Sequence, residues 1–281
     1  MPKISVLMPV YNTNLTYLQE AINSVLQQSE PDFEFLILND SPDNKELENF
    51  ILSFDDQRIK YLKNEKNMGI SVSRNKLIDL ASGKYLATMD HDDISMPERF
   101  KKEADYLDAH PQTGVVSSWY QRMGKNKIVK FPSDNQIISI YLTDDSYISH
   151  SASMIRKSVL DENNIRYESE FTPAEDYALW YRLIGKTEFH NIPEVLFLYR
   201  KHENQTSKLQ TGKMYMMRDK IRNLVRAEHP DLYENFLNLP AVMSFRLFGF
   251  IPLGKYRTKS SRISPTLKHI PFLKVKIKHN I

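Results

Sequence analysis

The feature that most constrains this chain is an alternation of apolar runs and amphipathic stretches over roughly its first ninety residues. Ile4 to Val10 (ISVLMPV) is a short apolar run ending in a proline and a polar turn, the composition of a strand covered on both faces. Beyond Tyr11-Asn12-Thr13, the residues Leu15, Leu18, Ile22, Val25 and Leu26 recur at intervals of three and four, which predicts a helix stopped by Glu30-Pro31. Phe33 to Leu38 (FEFLIL) reads as a second strand running into Asn39-Asp40-Ser41-Pro42. The signals then repeat: a helix from Lys45 to Phe54, a strand at Arg58 to Leu62, a helix from Val72 to Ala81 and a strand at Lys84 to Met89. This predicts βαβ units, and so an α/β fold whose mostly parallel sheet is flanked by helices and joined by right-handed connections.

After Asp93 the alternation loosens. Pro97 to His110 predicts a charged helix, Gly114 to Met123 a strand, Gln136 to Leu142 and Ala174 to Ile184 helices, and Val195 to Tyr199 a strand. A polar stretch from Gln205 to Gly212 marks the expected boundary between an α/β domain, residues 1–207, and a helical, then basic, extension, residues 208–281. Charge sets the end of that extension apart: Asn235 to Ile281 holds nine Lys or Arg and no acid, against 29 basic and 35 acidic side chains in the remainder. Ala241 to Phe250 has the spacing of a short amphipathic helix, while Leu273 to Ile281 (LKVKIKHNI) alternates apolar and basic residues. Neither spans a bilayer, so attachment to an anionic membrane surface is expected. The alternative is that Phe248, Phe250, Ile270, Phe272 and their apolar neighbours cover the α/β body or a second subunit of a homo-oligomer. The chain has no cysteine, which removes thiol chemistry and leaves any metal to oxygen or imidazole ligands. With no apolar run of membrane-spanning length and a first strand entered without a leader, a cytosolic protein is expected.

In an open α/β sheet, ligands bind beyond the carboxyl ends of the strands. Pro9 and Tyr11 mark the end of the first strand, Asp40 follows the second, and Asp90-His91-Asp92-Asp93 follows the fourth. Taken singly, each acid reads first as a solvated loop residue, and only the set points to a site. Three carboxylates within four residues repel one another, however, and raise the proton affinity of at least one unless a cation sits among them. Oxygen ligands around a divalent ion that also touches phosphates favour magnesium or manganese.

These elements, taken in order, resemble a known signature. Ile4 to Asn12, Asp40, Asn67-Met68-Gly69 with Arg74-Asn75, the Asp-His-Asp-Asp run, Glu175-Asp176 and Tyr199-Arg200-Lys201-His202 are similar to the motifs of the family 2 inverting glycosyltransferases of the GT-A fold. The resemblance covers roughly residues 3 to 207 and implies a Rossmann-like nucleotide-binding architecture. It implies a nucleotide base beside Pro9, with Tyr11 stacking on it and Asp40 accepting a base N–H. Asn67, Gly69 and Arg74 would complete that side, Gly69 by permitting a tight approach and Arg74 as a fixed cation. Asp90 and Asp92 would serve ribose and metal, with Asp93 in reach; which of Asp92 and Asp93 is the direct metal ligand stays open. His202 would be a further metal ligand, Arg200 would face the diphosphate, His150 and Glu175 would line the acceptor or donor sugar, and Asp176 would be the general base. Plainer readings stand beside these: Tyr11 as a turn aromatic, Arg74 and His202 as surface residues, and Glu175-Asp176 as acids favoured by a helix dipole.

A sugar hydroxyl is a poor nucleophile, and a single carboxylate that takes its proton suffices for an inverting displacement. The resemblance therefore implies a Mn2+- or Mg2+-dependent transfer of a hexosyl group from a nucleoside diphosphate sugar, UDP foremost, to a glycan or lipid-linked glycan in surface polysaccharide or lipooligosaccharide synthesis. A sugar-nucleotide pyrophosphorylase would place a basic, glycine-rich loop where this chain has Pro9-Val10-Tyr11-Asn12. A module that binds nucleotide or glycan without turnover would lack the base or the DxD acids. No Gly-x-Gly occurs, which argues against a dinucleotide-binding dehydrogenase. Gly249 to Tyr256 nearly spells a phosphate-binding loop, but Tyr256 stands where Ser or Thr is needed and Pro252 stiffens the turn. The acidic body argues against a nucleic-acid partner.

Overall fold

A computed structural model of the chain describes residues 1–247, 251–258 and 273–279; after residue 240, and at Ser207, only the backbone is described. Four strands, β1 (Ile4–Val10), β2 (Phe33–Asn39), β3 (Ile59–Lys63) and β4 (Tyr85–Thr88), run parallel in the order β3-β2-β1-β4. Helices α1 (Leu15–Leu26), α2 (Lys45–Leu52) and α3 (Ile70–Leu80) make the crossovers. The near-continuous apolar composition of β1 and β2 has a simple cause, since every residue of both strands is buried. Leu7, Leu36, Leu38 and Leu86 enter one core, and Val6, Met8, Phe35, Ile37 and Ala87 enter the other on the opposite face. Asn14 caps α1 by accepting from the amides of Thr16 and Tyr17, and the helix buries Leu18, Ala21, Ile22 and Val25.

The sheet does not stay parallel. It continues through β8 (Met154–Arg156), β6 (Thr113–Arg122), β9 (Glu188–Tyr199) and β5 (Ile94–Ser95), with β7 (Lys127–Val129) hairpinned to β6. Strand β8 is antiparallel to both β4 and β6, whereas β6 and β9 pair in parallel. Helices α4 (Arg99–Ala109), α5 (Asn135–Tyr141), α6 (Lys157–Glu162) and α7 (Glu175–Arg182) complete this half. The three-residue β8 and six-residue α6 are too short to show a period in the sequence.

Three more helices follow β9. They are α8 (Thr206–Leu209), α9 (Thr211–Glu228) and α10 (Pro230–Asn238). Ile221 and Val225 of α9 are fully buried in the core that holds Trp180 and Phe189, and Phe236 of α10 packs with Ile140 and Tyr141. The amphipathic helix expected at 241–250 is not formed, because Ala241–Leu247 is a strand, β10. It pairs antiparallel with β11 (Ile251–Thr258) and β12 (Leu273–His279). The period that wins is two: Ala241, Met243, Phe245 and Leu247 share a face with Leu273, Val275 and Ile277, while Arg246 shares the other with Lys274, Lys276 and Lys278. Gly254-Lys255-Tyr256 lies within β11, so the apparent phosphate loop is a strand. Phe248, Phe250, Ile270 and Phe272 lie outside the described residues. Among the described residues no helix is long and apolar enough to cross a membrane.

One proline shapes the ligand edge. The β1–β4 ladder stops at Leu7–Thr88, while β1–β2 pairing continues to Val10–Asn39. Pro9, which has no N–H to give, falls where β1 leaves β4. The two strands part at the point where strand order reverses, which opens the crevice that such sheets use for ligands.

Candidate active site

On the β1–β2 side of this crevice, Asp40 is 4% exposed and organises the loop that precedes α3. Its Oδ1 accepts from Asn64 Nδ2 at 2.7 Å and the Met68 amide at 2.8 Å, and its Oδ2 accepts from the Gly69 amide at 2.9 Å. Asn67 Oδ1 takes the same Gly69 amide at 2.9 Å. Gly69 caps α3 at φ 82°, a conformation open to glycine and strained for other residues. Tyr11, half exposed, Asn12, Asp40, Lys66 and Asn67 line a cleft of ≈ 260 Å³. Tyr11, Asp40 and Asn67 are thus brought together, and Asp40 spends most of its acceptor capacity on the protein.

The acidic run after β4 is sorted by its neighbours. Asp92 Oδ2 lies 2.8 Å from His202 Nε2. Asp93, 1% exposed, turns inward and accepts the Arg200 amide at 2.7 Å, and burial together with the adjacent Asp92 pushes its carboxyl well above the ordinary range. The Arg200 side chain donates to the Asp92 carbonyl at 2.7 Å, pairs with Glu20 and lies 4.3 Å over the Tyr17 ring. Its guanidinium thereby braces the acidic loop against α1, held between a carboxylate and an aromatic face. His91 Nδ1 meets Thr13 Oγ1 at 2.8 Å and ties the same loop to the end of β1.

Arg74 joins the two halves of the site. It is 9% exposed, with Nη1 2.7 Å from Glu175 Oε1 and Nη2 3.2 Å from Asp90 Oδ1, and it lies 5.4 Å over the Tyr167 ring. It therefore faces Asp90 and α7. Burial works against charge on Asp90, yet Arg74 and the other neighbours, Ser151 among them, together outweigh it and hold the carboxyl below its ordinary value; Ser151 Oγ donates to the oxygen that Arg74 leaves free. Glu175 is 6% exposed and its Oε2 has no partner, leaving a buried acceptor at the crevice. Asp176 heads α7, takes its own neighbour's amide from Tyr177 at 2.7 Å and is pushed up to about 6 by burial and by Glu175. His150, 8% exposed, meets Tyr167 Oη at 2.7 Å, and burial with Arg74 nearby keeps its imidazole neutral. Asp90, Asp176, Glu175, Arg74 and His150 thus converge from segments far apart in the chain. Among the described residues no three His, Asp or Glu side chains gather as a ready metal cage.

Residues 5–163 match the family described as Glycosyl transferase family 2. An uncharacterized glycosyltransferase of Methanocaldococcus jannaschii is 33% identical over 224 residues, 76% of this chain and 77% of the relative. The chain belongs to glycosyl transferase family 2. A second relative, UDP-Glc:alpha-D-GlcNAc-diphosphoundecaprenol beta-1,3-glucosyltransferase WfgD of Escherichia coli, is 26% identical and is matched over 89% of this chain and 93% of its own. TarS of S. aureus, solved in complex with UDP-GlcNAc, shares the fold with a TM-score of 0.66 at 20% identity, over 83% of this chain and 73% of that one. This family 2 glycosyltransferase therefore has the GT-A fold. Its site also holds residues that sequence reasoning passed over: Ser151 on Asp90, Tyr167 between Arg74 and His150, Asn64 on Asp40 and Tyr17 beside His202. None carries a local motif, and only Ser151, next to His150, had a neighbour that drew attention.

Proposed function

We propose that this glycosyltransferase moves a hexosyl group, with inversion, from a UDP-sugar to a hydroxyl of a glycan or lipid-linked glycan during surface polysaccharide synthesis. The observation that carries the reading is Arg74, which couples Asp90 at the end of β4 to Glu175 beside Asp176 and so sets donor-side and acceptor-side acids across one crevice. Tyr11, Asp40 and Asn67 line the cleft for the base, Tyr11 by stacking; Gly69 lets the backbone approach, and Asp90 serves the ribose. Glu175 and His150 line the sugars. Asp176 takes the proton of the acceptor hydroxyl as its oxygen bonds to the anomeric carbon, and the bond from that carbon to the diphosphate breaks with its electrons leaving on the diphosphate. Because Asp176 sits near 6, it is ionised at neutral pH while remaining basic enough to accept.

The donor set fits a divalent ion. Asp92 Oδ2 and His202 Nε2, which meet each other at 2.8 Å, are an oxygen and an imidazole that suit Mn2+ or Mg2+, and they would hold it. Bound there, the ion would stabilise charge on the leaving diphosphate. Asp93 supports the loop from behind. The WfgD and TarS relatives, with UDP-glucose in one name and UDP-GlcNAc in the other complex, favour UDP as the donor base, and the diphosphoundecaprenol in the WfgD name favours a lipid-linked acceptor. Work at the cytosolic face of an anionic membrane follows from that acceptor and from the basic C-terminal residues. A donor panel of UDP-, GDP- and dTDP-sugars with manganese tests the reading: release of UDP alone supports it, and preference for another nucleotide replaces the donor assignment.

A further inference from the structure

Arg99, in the first turn of α4, is 0% exposed and touches none of the groups assigned to donor or acceptor. Its Nη2 donates to the carbonyls of Thr88 and Ser153, both at 3.0 Å. Its Nε meets the two Glu103 oxygens at 3.1 and 3.2 Å, and its guanidinium lies between Phe100 and Phe197 at 5.4 and 5.3 Å. Thr88 ends β4, two residues before Asp90. Ser153 directly follows the short 3-10 turn His150–Ala152, which carries His150 and Ser151. The Thr88 hydroxyl closes the same joint, reaching the carbonyls of His150 and Ser153, and at its tip Ser151 Oγ donates to Asp90.

This joint is where the parallel half of the sheet ends and antiparallel β8 begins. A fully buried Arg and Glu are a poor device for stability alone, since apolar side chains of similar size often do as well or better. Glu103 is also 0% exposed, and burial, opposed by Arg99, lifts its carboxyl to about 7. What the pair supplies that apolar packing cannot is two directed N–H bonds, one to the end of β4 and one to the residue that leads into β8. We propose that Arg99, oriented by Glu103, is a positioning residue that fixes the Asp90 loop against the His150–Ser151 turn and so keeps the donor site in register. The donor part of this proposal rests on the function proposed above.

Arg99→Lys keeps the charge but loses the forked geometry, and Glu103→Gln keeps the shape should the lysine variant fail to fold. Hydrogen exchange on the ligand-free full chain is the first readout: amides of residues 89–93 and 150–153 should exchange faster together, by roughly tenfold, while β1 to β3 keep their protection. The second is UDP affinity in manganese, which should fall by roughly tenfold as Asp90 loses its place. Variants that melt earlier yet keep wild-type exchange in both segments, or loosen only one of them, overturn the proposal. If the wild-type protein does not bind UDP, the donor reading fails and the exchange arm still decides the clamp.

Discussion

At the scale of single residues, Asp176 and Asp92 carry separable predictions. The Asp176 carboxyl sits near 6, raised by burial and by Glu175, so transfer should climb with pH to a plateau with a midpoint close to 6. Asp176→Asn keeps size and polarity but removes the base, and steady-state transfer should fall by roughly 100-fold or more with UDP affinity little changed. The same shift makes a stability prediction of opposite sense. A folded value near 6 against about 3.9 unfolded means that the ionised residue weakens the fold as pH rises through this window. Asp176→Asn should therefore melt above wild type at pH 7.5, with the gap closing below about pH 4. Near-normal transfer by the folded variant would rule out the base role. For Asp92→Ala, UDP affinity should drop in manganese and change little in EDTA; an equal loss in both would assign the residue to the loop rather than to an ion.

At the scale of elements, the start of α3 shows how a site is built from backbone. A Cβ at Gly69 would meet nothing within 4 Å, so the cost of Gly69→Ala is conformational, about 1–3 kcal/mol for holding φ 82° and ψ 164°. Relief of that strain would pull the Met68 and Gly69 amides off Asp40. A lowered melting temperature with UDP affinity reduced several-fold is expected, and unchanged affinity would detach this turn from the nucleotide cleft. The same element marks a limit of sequence reading: α3 begins at Ile70, not Val72, because its cap is a glycine with no side-chain hydrogen bond. Where a polar side chain does cap, at Asn14 or Asn44, the observed helix opens at the expected residue.

At the scale of the whole molecule, the question is what the basic C-terminal sheet meets. Arg246, Lys274, Lys276 and Lys278 occupy one face by register, and each cation near an anionic leaflet contributes about 1 kcal/mol, screened by salt. Full-length protein should sediment with anionic vesicles, not with neutral ones, and be released by salt. Truncation should follow Pro240 so that Phe236, packed with Ile140 and Tyr141, is retained. A folded truncated protein that still sediments would remove these strands from attachment.

By itself the sequence determined the parallel half of the sheet, because the signals involved are local: buried strands need unbroken apolar runs, and helices that cover them need a period near 3.6. It also placed Asp40, Asp90 and Asp92 at strand ends and Glu175-Asp176 at a helix start. The tertiary structure alone decided how those acids are used. Arg74 reaches Glu175 across 101 residues and Arg200 reaches Glu20 across 180, and no local pattern records such pairings. Asp92 and Asp93 have the same side chain one position apart, yet one meets His202 and the other is buried against the Arg200 amide. A carboxylate's direction and proton affinity depend on burial and on nearby charges, and both are set only when distant segments pack.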